Sequence, residues 1–388
     1  MPDMDKENFR SSVLDKYGAS ENEKEELLVY NHNVFDHSNI ASPLKLPLED
    51  ELFVSAWERY AEEAIKTSVF HSLKSQLVQL SFPVKEGISK TQDYRSATLS
   101  GVSVGFLDAA TGISLNNPES LNLTIHQSLA GKIPVLIADN RGDFVTLVRG
   151  LSMKNEPNRV PTSMGATMVS GLNNWGRIHE LKKRWEADNK SGNWDDEFQR
   201  IIPQKGLYQD RFILLSTGPY SGVTGKDMGF SEERWKELSL IIRREHECTH
   251  YFTRRIFSSM RNNLIDELIA DYMGITAAEG KFCADWFLRF LGLENFPVYR
   301  AGGRLENYRG KPELSDGAFV ILQSMVKSVA RNLERFDADC RKIFAEEERR
   351  TLILISLTHF TLEELAAEDA CTLLENLVRK LKNDIEMI

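Results

Sequence analysis

Apolar residues recur at helical spacing in the N-terminal part of the chain. Phe53, Trp57 and Tyr60 are three or four residues apart, which places them on one face of a helix. Proline is favoured as the first residue of a helix, because an N–H at that position has no intrahelical partner. The pattern therefore predicts a helix from Pro47 to about Leu80. The first thirty residues are highly charged, and we expect them to form a loosely held arm.

Two runs of apolar residues are typical of buried strands. They are Ile133–Ala138 and Arg211–Ser216, and each is followed by a polar or glycine-containing turn. The residues from Phe144 to Met153 follow the first run and are predicted to form a short helix. Residues 161–177 are rich in small and polar side chains. They are predicted to be irregular, and they either line a pocket or form a surface connection.

Capping residues mark two helices in the second half of the chain. Ser231 is a good N-cap, and the two glutamates that follow it suit the first turn of a helix. This helix is predicted to run to about Phe257. Asn262 or Asn263 is predicted to cap the next helix, which ends near Gly280. The chain beyond these two helices is predicted to be mainly helical.

Composition narrows the classes of protein to consider. The chain has 388 residues, of which 41% are hydrophobic and 27% are charged, as in an ordinary globular protein. A chain of this length suits two or three packed units. The formal net charge is −9, so a phosphate backbone attracts this chain poorly and nucleic acid is not expected as a partner.

Apolar runs and cysteines exclude further classes. The longest apolar runs fall well short of the roughly 20 residues of a membrane span, so no membrane association is expected. Residues 1–16 lack the apolar core of a signal peptide and the arginine-rich character of a transit peptide, which favours a cytoplasmic location. The four cysteines are far apart and form no CxxC pair, which argues against a disulfide framework and against a cysteine zinc site.

The HExxH pattern is present as His246-Glu247-Cys248-Thr249-His250. Its two histidines are four positions apart, so both project from one face of a helix and are separated by one turn. Both imidazoles can then reach one metal ion at about 2.0–2.1 Å. Glu247 lies about 100° around the helix, beside the metal, where it can take a proton from a metal-bound water. Cys248 is expected to be a small, buried side chain.

The position of this motif favours a metal site. An HExxH string arises by chance in on the order of one chain in a hundred of this length. Here it lies inside a long, capped helix, and Trp235, Leu238 and Ile242 continue the face that carries both histidines. That face is expected to point inward, where a metal ion explains a buried pair of histidines. The alternative is a solvated or core helix that binds no metal.

The next helix offers a third ligand. Glu267 and Asp271 are four residues apart, so they lie on one face of that helix. Sixteen residues separate His250 from Glu267, which is enough for the first helix to end and for the chain to return antiparallel. Glu267 then completes a site of two histidines and one glutamate, whose fourth position is open to water. Asp271 is expected to accept a hydrogen bond from a ligand histidine.

The combination of HExxH with a later ExxxD resembles the gluzincin-type zinc metallopeptidases. The resemblance covers residues 231–280, and the matching residues are His246, Glu247, His250, Glu267 and Asp271. It implies two zinc histidines, a zinc glutamate, a glutamate base and an aspartate that steadies a histidine. It also implies an edge strand above the metal that pairs with an extended substrate, and residues 212–216 fit that strand by position.

Residues outside the motif are candidates for contacts with a substrate. Ser216 ends the predicted edge strand and Tyr220 follows it, and both are predicted to bind the substrate. The glycine-containing loop beyond the metal helices offers Arg304, Tyr308 and Arg309 to polarise a carbonyl or to bind a carboxylate. Of these, Tyr308 and Arg304 are predicted to be catalytic. The alternative for this loop is an ordinary solvated basic segment.

These features together predict an α+β protein with a zincin-like architecture. A small, mostly antiparallel sheet is expected over two metal-binding helices, and the C-terminal part is expected to be mainly helical. The predicted segments are a mixed N-terminal region (1–130), a zinc-binding catalytic domain (131–280) and a helical C-terminal domain (281–388).

The predicted function is that of a zinc-dependent hydrolase, which cleaves a peptide or amide bond with a metal-activated water and with Glu247 as general base. A specialised peptide or a small amide is favoured as substrate, because unrestrained proteolysis in the cytoplasm is harmful. The alternative is a non-catalytic module that binds a partner protein and contains structural zinc or no metal. The sequence predicts no particular oligomeric state.

Overall fold

The chain folds as two compact units. The computed structural model describes residues 3–38, 40, 42–189, 192–259 and 263–387. The first unit combines Met1–Leu48 with Pro219–Ile388, and the second unit consists of Glu49–Gly218. The second unit is therefore inserted in the chain between the two segments of the first.

The N-terminal segment of the first unit is mainly helical. Its elements are α1 (Asp3–Lys16), α2 (Glu21–Tyr30) and β1 (Leu44–Leu46). Helix α2 begins with a capping box, in which the side chains of Ser20 and Glu23 bond to each other's backbone N–H groups. Leu14 and Leu27 have no exposed surface. The expectation of a loosely held arm is therefore wrong, because each of these charged helices buries a leucine in the unit.

The second unit contains both helices and strands. Its elements are α3 (Val54–Lys66), α4 (Val69–Gln76), α5 (Gln92–Ser100), β2 (Asn122–Ser128), β3 (Gly131–Ala138), α6 (Arg141–Ser152), β4 (Ala166–Asn173), α7 (Trp175–Asp188), α8 (Trp194–Ile201) and β5 (Gln209–Ser216). Its core contains the buried side chains of Trp57, Phe144 and Phe212, from α3, α6 and β5. The predicted strands at 133–138 and 211–216 are confirmed.

Strands β2 to β5 form a small mixed sheet in the order β2-β3-β5-β4. The β2–β3 and β4–β5 pairs are antiparallel, and the β3–β5 pair is parallel. Strand β5 thus has a neighbour on each side, with Ile213 opposite both Val135 of β3 and Met168 of β4. The expectation of an edge strand at residues 212–216 is wrong, because an interior strand has no free row of N–H and C=O groups for a substrate.

The predicted helix between Pro47 and Leu80 starts later and is interrupted. Helix α3 begins at Val54 and ends before Thr67, and Ser68 caps α4 by accepting a hydrogen bond from the N–H of His71. Before the helix, Asp50 accepts a hydrogen bond from the backbone N–H of Lys132 in β3, and Glu51 pairs with Arg211 in β5, so these residues are held by contacts with the sheet. The break is explained by the new cap, which competes with continuation of α3.

The stretch at 161–177 contains regular structure instead of the predicted irregular connection. It includes strand β4 and the start of α7. The pairing with β5 shifts between Ser170 and Leu172, and Gly171 in that interval has a φ of +76°, which glycine adopts without strain. The sequence pattern did not reveal this strand because β4 buries few of its side chains. The strand is held by pairing with residues that are distant in the chain.

The C-terminal segment of the first unit is mainly helical, as predicted. Its elements are α9 (Gly225–Met228), α10 (Glu232–Phe257), α11 (Leu264–Glu279), α12 (Ala284–Leu291), α13 (Asp316–Cys340), α14 (Glu346–Leu357), α15 (Leu362–Ala366), α16 (Ala370–Leu381) and β6 (Ile385–Met387). Strand β6 pairs in parallel with β1. Over the described ranges, none of the helices has both the length and the apolar character that crossing a membrane requires.

The two units group the chain differently from the segments at 1–130, 131–280 and 281–388. Helix α1 packs against α15 and α2 packs against α13, so the N-terminal helices belong with the C-terminal ones. Helix α3 packs on β2 and β3, which places it with the sheet. Helices α10 and α11 belong to the first unit, and the sheet belongs to the second. Such long-range packing carries no local signal in the sequence.

We predict that Gly274→Ala loosens the packing of α11 on α10. A methyl group at this position would lie 2.8 Å from the backbone oxygen and 2.9 Å from the Cγ2 atom of Ile242. The amides of both helices should lose about 1–3 kcal/mol of protection in native-state hydrogen exchange. Gly206→Ala is the control, because a methyl group there meets nothing within 4 Å. Unchanged protection in Gly274→Ala would contradict the close approach.

Candidate metal centre

Helix α10 presents its two histidines and Glu247 to the interior. Ser231 caps the helix by accepting a hydrogen bond from the N–H of Arg234. His246, His250 and Glu247 are 8%, 4% and 9% exposed. The predicted helix and its inward face are confirmed. Charged or polar side chains that are this deeply buried require partners.

Helix α11 brings Glu267 to the same point. Asn263 caps this helix by accepting a hydrogen bond from the N–H of Asp266, and the alternative cap Asn262 lies outside the described residues. The Nε2 atoms of His246 and His250 are 3.1 Å apart. Their distances to the carboxylate oxygens of Glu267 are 3.5 and 3.6 Å. The ligand atoms of the three side chains all lie within 4.8 Å of one another.

This donor set fits a zinc ion. Two bonds of about 2.0–2.1 Å at a tetrahedral angle place two ligand nitrogens about 3.4 Å apart, which is close to the distance between the two Nε2 atoms. Two imidazole nitrogens and one carboxylate oxygen are also the ligands of catalytic zinc sites that retain an open fourth position. Within the described part of the chain, His246, His250 and Glu267 are the group of side chains that meets the requirements of a metal site.

Each histidine has a carboxylate behind it. Nδ1 of His246 is 2.9 Å from Oδ1 of Asp271, and Nδ1 of His250 is 3.4 Å from Oδ2 of Asp266. With the proton on Nδ1, each ring directs the lone pair of Nε2 towards the shared point. Asp271 was predicted for this position, whereas Asp266 was missed. The sequence feature that could have identified Asp266 is its position directly before the ligand Glu267 in α11.

The charges of this cluster stabilise one another in the metal-free protein. Burial alone would raise the pKa of Glu267, but the hydrogen bond from His250 and the nearby histidine charges hold it far below its usual value. Burial alone would lower the pKa of His250, but Asp266 and Glu267 hold it well above its usual value. A divalent cation bound between these side chains would replace the histidine protons as the positive charge that offsets the carboxylates.

Arg304 and Tyr220 complete the environment of Asp271. Arg304 forms an ion pair with Oδ2 of Asp271 and donates a hydrogen bond to the hydroxyl of Tyr220 at 2.8 Å. Tyr220 in turn donates to Oδ1 of Asp271 at 2.6 Å. Burial would raise the pKa of Asp271, but Arg304, His246 and Tyr220 hold it below its usual value. Asp271 therefore remains a carboxylate that can accept from His246.

Arg304 and Tyr220 are both engaged in contacts within the protein. Both side chains were predicted to act on the substrate. Arg304 is held by Asp271, Tyr220 and Ser221, the last through a hydrogen bond of 3.2 Å to its Oγ. Tyr220 is 5% exposed, and its ring lies edge-on to that of Phe290. These contacts hold both side chains beside Asp271, and their predicted actions on a substrate stay predictions.

Tyr308 lies on the other side of the ligand glutamate. A short 3₁₀ helix spans Arg304–Tyr308 and brings both side chains to the site. The hydroxyl of Tyr308 donates a hydrogen bond of 2.7 Å to Oε2 of Glu267. Burial raises the pKa of Tyr308 well above its usual value, and the charge of Glu267 acts in the same direction. The hydroxyl therefore stays protonated and remains a donor beside the ligand atoms.

Glu247 and Cys248 are neighbours, but they differ in chemical reactivity. Burial raises the pKa of Glu247 above its usual value, while the charges of His250 and His246 act in the opposite direction. Burial also raises the pKa of the Cys248 thiol well above its usual value, so this thiol stays protonated and unreactive. Glu247 is thus the candidate for proton transfer on this helix.

Ser216 and Arg309 were further candidates from the sequence. Ser216 is the last residue of β5 and belongs to the second unit, where its backbone N–H donates to the carbonyl of Gly165. Its predicted contact with a substrate stays a prediction. Arg309 pairs with Asp316 at 2.8 Å and stacks on the ring of Phe319. Its charge is thus engaged next to the site and does not contact the ligand residues.

Comparison with known proteins identifies a family whose function is unknown. The model of DUF7005, described as a family of unknown function, matches residues 12–369. The chain belongs to this family. None of the curated proteins and none of the solved structures matches it. The matched range includes the ligand residues, Glu247 and Tyr308, so this DUF7005 chain carries its candidate metal centre inside the family region.

We predict that Asp271→Asn and Asp266→Asn each weaken zinc binding by about 10- to 100-fold, because an amide steadies a ligand histidine less well than a carboxylate. Competition with a fluorescent chelator measures the dissociation constant. Asp339→Asn is the matched control, since Asp339 is exposed and pairs with Lys342 at the surface. Equal affinities in all four proteins, wild type included, would show that the two buried carboxylates do not support the ligands.

Proposed function

We propose that this protein is a zinc-dependent hydrolase that cleaves a peptide or amide bond. The observation that carries the proposal is the convergence of His246, His250 and Glu267, whose ligand atoms lie within 4.8 Å of one another beside Glu247. A zincin-like architecture and a resemblance to gluzincin-type enzymes form part of the same proposal.

The ligand set supports a catalytic ion over a structural one. Structural zinc sites are usually closed by four protein ligands, often cysteines. Here the set has three members, and Cys248 on the same helix keeps its proton because it is buried. When bound, zinc supplies a Lewis acid and lowers the pKa of water towards about 7.

Glu247 is the proposed general base. Proton transfer needs a carboxylate beside the reacting water, and Glu247 is buried on α10 directly after the ligand His246. Its carboxylate would take a proton from the attacking water and then donate it to the nitrogen of the leaving amine. The same group can serve both steps because its position on α10 is fixed by the helix.

Tyr308 is the proposed donor to the oxyanion. Its hydroxyl is protonated, buried and 2.7 Å from a ligand oxygen of Glu267. A small rotation of the Tyr308 side chain would move this hydrogen bond from Glu267 to the negative charge that develops on the carbonyl oxygen of the substrate. Arg304 was also predicted for this role, but it is bound to Asp271 and Tyr220. We assign to Arg304 the positioning of Asp271, and through it of His246.

The proposed substrate is a specialised peptide or a small amide. The ligand cluster is deeply buried, which favours a restricted substrate over general proteolysis. A panel of blocked peptides and small amides, assayed with the zinc-loaded protein, distinguishes the two substrate classes by the relative kcat/KM.

We predict that Glu247→Gln retains zinc and loses at least about 1000-fold in kcat, because a neutral amide cannot accept the proton of the attacking water. Turnover of the best substrate of the panel and the zinc content are measured on the same sample. Glu245→Gln is the matched control, since this glutamate is on the same helix and pairs with Arg244 at 3.0 Å. Retained turnover in Glu247→Gln would refute the assigned base.

We predict that Tyr308→Phe lowers kcat by about 100- to 1000-fold with little change in KM, which is the usual effect of losing one oxyanion donor. The phenyl ring keeps the packing of the side chain, so the zinc content should remain at the wild-type level. Loss of zinc with an unchanged kcat per bound ion would show that Tyr308 only supports Glu267.

A further inference from the structure

A tyrosine from the N-terminal helices bonds directly to the backbone of Tyr308. The hydroxyl of Tyr30, the last residue of α2, donates a hydrogen bond of 2.5 Å to the carbonyl oxygen of Tyr308, which is 278 positions away in the chain. Burial raises the pKa of Tyr30 above its usual value, so the hydroxyl remains a donor. The residue that carries the proposed oxyanion donor is thus held by a part of the chain outside the metal helices.

The ring of Tyr30 also packs against the turn that follows Tyr308. Gly310 has a φ of +89°, a left-handed conformation that glycine adopts easily. A methyl group at Gly310 would lie 3.1 Å from Cδ2 of Tyr30 and 3.1 Å from the carbonyl oxygen of Pro312. The absence of a side chain at Gly310 therefore allows Tyr30 to approach the backbone closely, and the hydroxyl and the ring both restrain the turn.

The other end of the 3₁₀ helix has its own restraint. The hydroxyl of Tyr299 donates to the carbonyl of Gly303 at 2.8 Å and accepts from the N–H of Glu306 at 3.1 Å. The end that carries Arg304 is therefore fixed by Tyr299 and by the ion pair with Asp271. Loss of the Tyr30 hydroxyl should release the Tyr308 end and leave the support of the metal ligands intact.

Helix α2 is anchored firmly enough to act as such a restraint. Asn31, directly after α2, donates to Oε1 of Glu363 at 2.9 Å, and Arg10 of α1 pairs with the same oxygen at 3.2 Å. A carboxylate of Glu26 accepts from the backbone N–H of Ser315 at 2.7 Å. Glu363 is buried, and hydrogen bonds with a charged partner such as Arg10 are among the stronger ones, so these contacts restrain the position of Tyr30.

We propose that Tyr30 is a positioning residue that holds the Tyr308 hydroxyl at the ligand Glu267. This inference rests on the proposed function, because it assumes that Tyr308 donates to the reacting carbonyl. It makes the N-terminal helices part of the active site, although the whole second unit separates them from the metal helices in the chain. A displacement of a reacting group by about 1 Å is enough to lower a rate by up to about 100-fold.

The test is a double-mutant cycle in the full-length, zinc-loaded protein. Tyr30→Phe removes the hydroxyl and keeps the ring, so kcat should fall on the order of tenfold while KM, the zinc content and the melting temperature stay close to wild type. If Tyr30 acts through Tyr308, the double variant Tyr30→Phe/Tyr308→Phe should have the kcat of Tyr308→Phe alone, within about twofold. A merely structural role would not give this coupling.

Tyr17→Phe is the matched control. The hydroxyl of Tyr17 also donates from the N-terminal helices to a backbone carbonyl, that of Ala366, at 3.1 Å, but it does not contact the turn at 304–310. Its removal should leave kcat unchanged. A wild-type kcat in Tyr30→Phe, or a double variant whose loss is the product of the two single losses, would overturn the inference while the hydrolase assignment stands.

The inference can be judged separately if the wild type hydrolyses nothing. That result counts against the proposed function. Hydrogen exchange of the peptide that contains residues 304–310 then provides the test, because the loss of the Tyr30 hydroxyl should accelerate exchange there by on the order of tenfold and the loss of the Tyr17 hydroxyl should not. Equal exchange in the wild type and in Tyr30→Phe would overturn the inference.

Discussion

The close packing of α11 on α10 is the constraint on which the candidate site depends. The two histidines are brought together by one turn of a single helix, but Glu267 reaches them only because the second helix returns alongside the first. Gly274 permits that approach, since its Cα faces the backbone of Ile242 with no room for a methyl group. A close backbone contact one to two turns from the ligands therefore helps to set the distance between them.

Buried charges make the ligand cluster a coupled unit. His246 is backed by Asp271, which is held by Arg304 and Tyr220. His250 is backed by Asp266, and Glu267 accepts from Tyr308. Each of these groups would be costly to bury alone, and each lies beside a group of opposite charge or a hydrogen-bond partner. The arrangement orients both imidazoles before any ion binds, which is how metal sites achieve high affinity.

The sequence predicted the local parts of this site. Ser231 and Gly280 act locally, and the HExxH spacing places two histidines on one helical face, so α10 and α11 were found with close to correct bounds. Tyr30 and Asp266 were missed, because their roles arise from contacts that no periodicity records. The same reason explains the undetected strand β4, which is defined by its pairing with β5.

Errors in the predicted architecture had one common source. The charged N-terminal residues were expected to be loosely held, yet α1 and α2 pack against the C-terminal helices. The apolar run at 211–216 was expected at a sheet edge, yet it lies between two other strands. In both cases the local pattern showed whether the segment is charged or apolar. The neighbours of the segment were decided by chain topology, which a single sequence does not encode locally.

The measurement that tests the central claim most directly is the metal content of the purified protein. Elemental analysis of the wild type and of His246→Ala, both prepared without chelators and supplied with zinc, should give about one zinc per chain in the wild type and little in the variant. Equal zinc in both proteins would place the ion elsewhere. No zinc in either would contradict the metal centre itself and would favour a metal-free interaction module.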